Sequence, residues 1–168
     1  EKASTNGYTP TSEEKAEIDV IVSRIDLICK AAYEAGTSVF IDAEESWIQD
    51  AIDQWTFDMM LKYNKEKCIV FNTLQMYRHD RLEFLRKSIV EAKDKKICLG
   101  IKLVRGAYME KERARALAEG YLDPIQPNKE ATDRDYDLAI AYAQVLGNTQ
   151  VNCLAGIRPQ GVDDATAE

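Results

Sequence analysis

Three short runs of this 168-residue chain end in side chains able to do chemistry. FIDAEE (40–45) ends in the carboxylates Asp42, Glu44 and Glu45, and FNTLQMY (71–77) carries Asn72, Thr73, Gln75 and Tyr77. KLVRGAY (102–108) sets Lys102, Arg105 and Tyr108 around Gly106. Lys102 is the most telling of these. A lysine inside the apolar run ICLGIKLV must, if buried, lose its charge or find an anionic partner, because an unpaired buried charge is costly. Facing the mouth of a barrel it would donate to a bound anion or to an electron-accepting ring; on an edge strand it would simply be solvated. Gly106 suits a backbone that lets a ligand approach closely, with a plain sharp turn as the alternative.

Other chemistries find little support. The chain has no G-x-G-x-x-G, no P-loop and no G-x-S-x-G elbow, so neither nucleotide fingerprint nor a serine nucleophile is indicated. His79 is the only histidine, set among Arg78, Asp80 and Arg81, and reads as a solvated residue at a helix entry. Cys29, Cys68, Cys98 and Cys153 are widely spaced with no C-x-x-C pair and no zinc set. Reduced, mostly buried thiols are expected, and no metal site.

Strands and helices must position the three runs. Thr11 and Glu14 fit a capping box, and Ile18, Ile21, Val22, Ile25, Ile28, Cys29 and Ala32 recur at helical spacing until Gly36, predicting one long helix with a single buried face. A strand over 37–43, a helix carrying Ile48, Ile52, Trp55, Met59 and Met60 up to Asn64, a strand over 68–74, a helix from about Asp80 to Lys95 and a strand over 97–104 follow. Another helix should begin after Tyr108, and Thr132 with Asp135 caps one running to about Leu146. Apolar strands alternating with amphipathic helices imply parallel strands, as in a barrel or doubly wound sheet, with functional groups at the strands' carboxyl ends. Residues 1–10 read as a loop or insertion edge, 11–146 as the folded domain and 147–168 as an irregular tail with one weak strand candidate, QVNCLA.

Net charge −7 and a pI near 4.9 give no basic footprint for nucleic acid. No run approaches a membrane span, and the first residues show no basic-then-apolar signal pattern. Because the chain opens at Glu1, a leader ahead of it is left open.

The strings FIDAEE, FNTLQMY and above all KLVRGAYMEKERARA (102–116), in this order inside a βα pattern, resemble the proline dehydrogenase family, with similarity from about Thr11 to about Gln144. The RGAY string and its flanks fit that family better than another flavin barrel such as methylenetetrahydrofolate reductase. The resemblance implies an α/β fold, a partial (β/α)₈ TIM barrel of about three to four βα units, since a full barrel takes roughly 250 residues. It further implies FAD bound non-covalently at the mouth, oxidation of L-proline to pyrroline-5-carboxylate, and electrons passed to a quinone. Asp42 resembles the family's active-site aspartate, and Gln75 the glutamine that hydrogen-bonds the flavin ring. Lys102 and Arg105 exchange the arginine and lysine of many bacterial members, as in the monofunctional, mitochondrial-type branch. Val104 and Gly106 resemble contacts to FAD, while Leu103 and Tyr108 resemble walls of the proline pocket; Asp42, Lys102 and Tyr108 are the catalytic candidates. The implied location is the bacterial cytoplasm or cytoplasmic membrane face, or alternatively the mitochondrial matrix or inner membrane, with at most peripheral membrane contact. The family's first strand with its substrate-binding lysine, its A-T-H-N-like strand and its final arginine-rich helix have no counterpart in these residues. Alone, the chain is therefore expected to hold FAD poorly and to turn over little proline, or else to act as a non-catalytic α/β piece that associates with itself or with a complementary fragment.

Overall fold

The computed structural model describes residues 9–120 and 122–125. The expected helix from Thr132 to Leu146, the QVNCLA segment, Cys153, the tail from Gly147 and most of the opening loop lie outside the described residues. The elements run α1 (Ser12–Ala35), β1 (Val39–Ile41), α2 (Ser46–Tyr63), β2 (Val70–Gln75), α3 (Arg81–Lys95), β3 (Ile101–Val104) and α4 (Met109–Glu119).

Local chemistry sets the helix ends. Thr11 caps α1 in a full capping box, its hydroxyl accepting from the Glu14 N–H at 3.2 Å while Glu14 accepts from the Thr11 N–H at 2.9 Å. Gly36 ends the helix in the left-handed conformation, φ 66°, where a residue without a Cβ is favoured.

The three strands are parallel and lie in the order β1-β2-β3, with Val39 opposite Val70 and Asn72 opposite Ile101. Two features fit a barrel wall, though one half of a doubly wound sheet would share them. The described strand order never reverses, and α1, α2 and α3 cover one face only. On that face Val39, Ile41 and Val70 pack with Cys29, Ala32, Met59 and Met60, while Leu74, Ile101 and Leu103 pack with Leu82, Leu85 and Ile89. Strand alternation puts Phe40, Phe71 and Gly100 on the other face, where the two rings lie 5.0 Å apart and a Cβ on Gly100 would come within 2.3 Å of the Val70 carbonyl oxygen.

Several expectations change. The ladder starts at Val70 and Ile101, so Cys68 and Cys98 sit in half-buried segments leading into the strands rather than in the strands themselves. On α1, Ile21 and Ile28 are exposed together with Val20 and Leu27, giving a second apolar face beside the buried one. On α2 the buried side is partly polar: Gln49, Asp53 and Thr56 are buried together with the expected Met59 and Met60, whereas Ile48, Ile52 and Trp55 are only partly so. Burial of these polar groups is compensated, since Asp53 accepts from Arg81 Nη1 at 2.6 Å, Asn72 Nδ2 at 2.8 Å and Gln49 Nε2 at 2.9 Å.

Candidate functional site

At the carboxyl ends of the strands, one row of side chains crosses the open face of the sheet. The register pairs Thr73 with Lys102, and one step beyond the Ile41–Asn72 pair brings Asp42 level with Thr73. Lys102 Nζ lies 2.6 Å from Asp42 Oδ1, and the Thr73 hydroxyl donates to the same oxygen at 3.5 Å. The pair spans from β1 to β3 over the end of β2. It is half open to solvent, with side-chain exposures of 39% for Lys102 and 68% for Asp42. Lys102, which the sequence left as either a buried or a solvated charge, is partly exposed with an anionic partner, because only the helix-covered face of the strand is sealed. Lys102 Nζ also stands 5.9 Å from the centre of the Phe40 ring.

A second set of contacts ties the loop after β1 to the segment after β3. Tyr108 donates to Glu44 Oε2 at 2.6 Å, and Lys111 pairs with Glu45 at 3.5 Å. Glu112, 2% exposed, accepts from the Ser46 N–H at 2.5 Å and from its hydroxyl at 2.6 Å. That carboxylate satisfies two donors at the start of α2, where the N-cap Glu45 supplies no side-chain cap of its own. The bond to Glu44, with the Glu45 and Asp42 charges nearby, raises the Tyr108 phenol above its ordinary value, so it remains a proton donor at neutral pH. Trp47 donates to Glu45 at 2.6 Å, and that bond, with Lys111 and Arg115 beside it, holds the Glu45 carboxyl below its ordinary value.

The structure brings together Asp42, Lys102 and Tyr108. Gln75 ends β2 on the same face as Thr73 and is buried, and Val104 lies opposite it in β3 on the face of Lys102. Leu103 is not with them. Its side chain alternates to the helix side and packs against the Leu74–Leu85 cluster, away from the face that carries Lys102. Gly106 has a local reason to be glycine: its φ is 119°, and a Cβ there would sit 1.6 Å from Tyr77 Cε1. His79 is exposed, and its backbone N–H donates to the Pro124 carbonyl at 3.2 Å. Among the described residues no group of three or more His, Cys, Asp or Glu could hold a metal.

Sequence reasoning passed over two features near the site. Glu112 reads in sequence as one more charge in MEKERARA, and only the fold reveals the two donors that it meets. Behind β2, Asp80 receives Arg78 at 2.7 Å and also Arg81, which in turn holds Asp53 at 2.6 Å. Burial alone would raise the Asp80 carboxyl, but the bonds from Arg81 and Arg78 outweigh it and hold the group well below the usual carboxylate range.

The family model for proline dehydrogenase matches residues 1–155. The chain is 40% identical over 132 residues to the mitochondrial proline dehydrogenase 1 of Homo sapiens, covering 79% of this chain and 22% of the relative. It is 43% identical over 116 residues to that of Drosophila melanogaster (69% and 17%), and 38% identical over 119 residues to the hydroxyproline dehydrogenase of Xenopus laevis (71% and 26%). The chain thus spans about a fifth of the length of the curated relatives it matches first. A crystal structure of proline utilization A (PutA) from Bdellovibrio bacteriovorus, inactivated by N-propargylglycine, superposes with a TM-score of 0.67 at 21% identity, over 74% of this chain and 13% of that one. The described elements are accordingly a stretch of barrel wall. With a family model spanning nearly all of its length, this chain belongs to the proline dehydrogenase family.

Proposed function

We propose that these residues form part of the catalytic floor of an FAD-dependent enzyme that oxidises L-proline to pyrroline-5-carboxylate, passing electrons on to a quinone. The observation that carries this reading is the Asp42–Thr73–Lys102 row, an opposed carboxylate and ammonium at the open end of parallel strands. Such a mouth suits a flat, electron-accepting ring. Donors from Lys102, Gln75 and Tyr108 lie toward the rim, and the Phe40 and Phe71 rings form an apolar layer one row below. FAD, when bound, would supply the two-electron acceptor.

The chain's own residues would do the rest. Lys102, held in place by Asp42, would offer its ammonium to negative charge building at the ring edge, and Gln75 would orient that edge by hydrogen bonding. Asp42 would accept from the cationic ring nitrogen of proline, placing the neighbouring carbon for oxidation. Tyr108, kept protonated and pinned to Glu44, would close one side of the substrate space. Gly106 serves this arrangement through the backbone turn that Tyr77 packs against.

The proline dehydrogenase 1 relatives of Homo sapiens and Drosophila melanogaster carry mitochondrial designations, which favours a mitochondrial location for the whole protein over a bacterial one. No helix among the described residues is long and apolar enough to cross a membrane.

A chimera tests the reading. Residues 11–119 of this chain replace the matching segment of the human relative, the product is purified with FAD, and L-proline is added without oxygen. Bleaching of the flavin absorbance supports the assignment, and a bound flavin indifferent to proline overturns it. A second reading, self-association of a non-catalytic α/β piece, draws on the outer edges of β1 and β3, which have no neighbour among the described strands, and on Phe40, 53% exposed. Sedimentation of the isolated chain across a concentration series, with and without FAD, separates the two: mass that rises with concentration and ignores FAD favours association.

A further inference from the structure

Behind the loop from β1 to α2, one buried side chain links the mouth of the barrel wall to its core. Gln49 is buried, although it lies in the first turns of a helix whose N-cap, Glu45, makes no side-chain capping bond. Its Oε1 accepts from the Glu44 N–H at 2.7 Å, and its Nε2 donates to Asp53 Oδ1 at 2.9 Å. Only one placement of the amide serves both neighbours, since a backbone N–H needs an acceptor and a carboxylate needs a donor. The bond to Glu44 resembles half of a capping box that reaches past the N-cap to the residue before it.

The two ends of this tether hold different things. On the core side, buried Asp53 also accepts from Asn72 Nδ2 at 2.8 Å and from Arg81 Nη1 at 2.6 Å, and both of those residues are buried. On the loop side, Glu44 is exposed, and its carboxylate takes the Tyr108 hydroxyl at 2.6 Å. An exposed bond between two otherwise free side chains contributes little, because both must be ordered to form it. Fixing the Glu44 backbone removes part of that cost. The Tyr108 ring is then referred to the buried Asp53–Arg81 pair instead of to a free loop.

We propose that Gln49 is a positioning residue for the substrate space: it fixes Glu44, and through Glu44 it holds the Tyr108 ring as a wall against proline. This role rests on the proline-oxidising site proposed above. Buried behind the loop, Gln49 acts through Glu44 and Tyr108 and takes no part in the redox step. Substrate binding should therefore respond to its loss, while the flavin step should not.

The test is a double-mutant cycle in the FAD-loaded chimera with the human relative, combining Gln49→Met with Tyr108→Phe. Gln49→Met should raise KM for L-proline about fivefold, the weight of one hydrogen bond, with kcat and flavin content held within about twofold. Tyr108→Phe, which cannot bond Glu44, should raise KM similarly, and the double variant should match Tyr108→Phe instead of multiplying the two effects. An unchanged KM in Gln49→Met, or effects that multiply, would overturn the proposal. Gln49→Asn, too short to span Glu44 and Asp53, is measured beside it; loss of flavin from both variants would make Gln49 a residue of the fold alone and equally overturn it. Amide exchange of the full 168-residue chain needs no activity and so separates this failure from failure of the site's assignment. There the Glu44 N–H should exchange at least about tenfold faster in Gln49→Met than in the unaltered chain. A quickened Glu44 N–H beside a chimera that ignores proline would overturn the proline-oxidising site and leave the tether standing, whereas an unchanged Glu44 N–H would overturn the tether itself.

Discussion

At the scale of single residues, the candidate site is a matter of which way each side chain points. Lys102 and Leu103 are neighbours in sequence, yet one faces the mouth and the other the helices, because a strand alternates. That alternation was readable in KLVRGAY; what sequence could not supply was the phase, since both faces of this strand carry aliphatic residues. Gly106 offers a sharp test. Replacing it with alanine forces a Cβ into the Tyr77 ring at a positive φ, and we expect a loss of about 2–4 kcal/mol in urea unfolding. Adding Tyr77→Ala should recover the steric part only, leaving about 1 kcal/mol of backbone strain beyond the cost of the truncated ring. Asp80 yields a pH prediction. Its folded-state proton affinity is depressed, so its contribution is complete above the ordinary carboxylate range and is lost as pH falls through and below that range. Stability should therefore decline between about pH 5 and pH 2, and Asp80→Asn should flatten that decline.

Among the elements, α2 and α4 are where sequence and structure part most. Helical spacing located α2 to within a few residues, but its aromatic and methionine stripe suggested an apolar contact face. Met59 and Met60 do pack in the core, but Gln49, Asp53 and Thr56 are buried beside them, because Arg81 from α3 and Asn72 from β2 bring donors that no local pattern encodes. Asp53→Asn leaves the Arg81 guanidinium buried with only Asp80 as a charged partner, and a loss of about 3 kcal/mol is expected in thermal or denaturant unfolding. The caps of α1 were legible, since a capping box and a terminal glycine are local signals. Glu112 was not, for its donors lie 66 residues away. Glu112→Ala should cost about 1–3 kcal/mol and speed amide exchange in residues 43–48, as α4 lets go of the start of α2. If exchange there is unchanged, Glu112 does not hold the two loops together.

For the molecule as a whole, the parallel alternation was legible and so was its partial extent. The unreversed strand order and single helix-covered face needed coordinates, and it is the likeness to the PutA structure that favours a barrel wall over half of a doubly wound sheet. The exposed apolar residues of α1 and of the open sheet face, Leu27 at 67%, Ile28 at 59% and Phe40 at 53%, are what a slice of a larger closed barrel would show. The isolated chain should accordingly retain little flavin after desalting, whereas the chimera with the human relative should retain it fully. The decisive experiment is anaerobic stopped-flow reduction by L-proline of that chimera and of its Lys102→Met form. If the Asp42–Thr73–Lys102 row is the catalytic floor, both bind FAD, the unaltered chimera bleaches, and the variant bleaches at least about tenfold more slowly, the equivalent of roughly 1.4 kcal/mol. Equal rates in the two proteins would mean that Lys102 is only a surface ion pair, and the site would have to be sought elsewhere on the barrel.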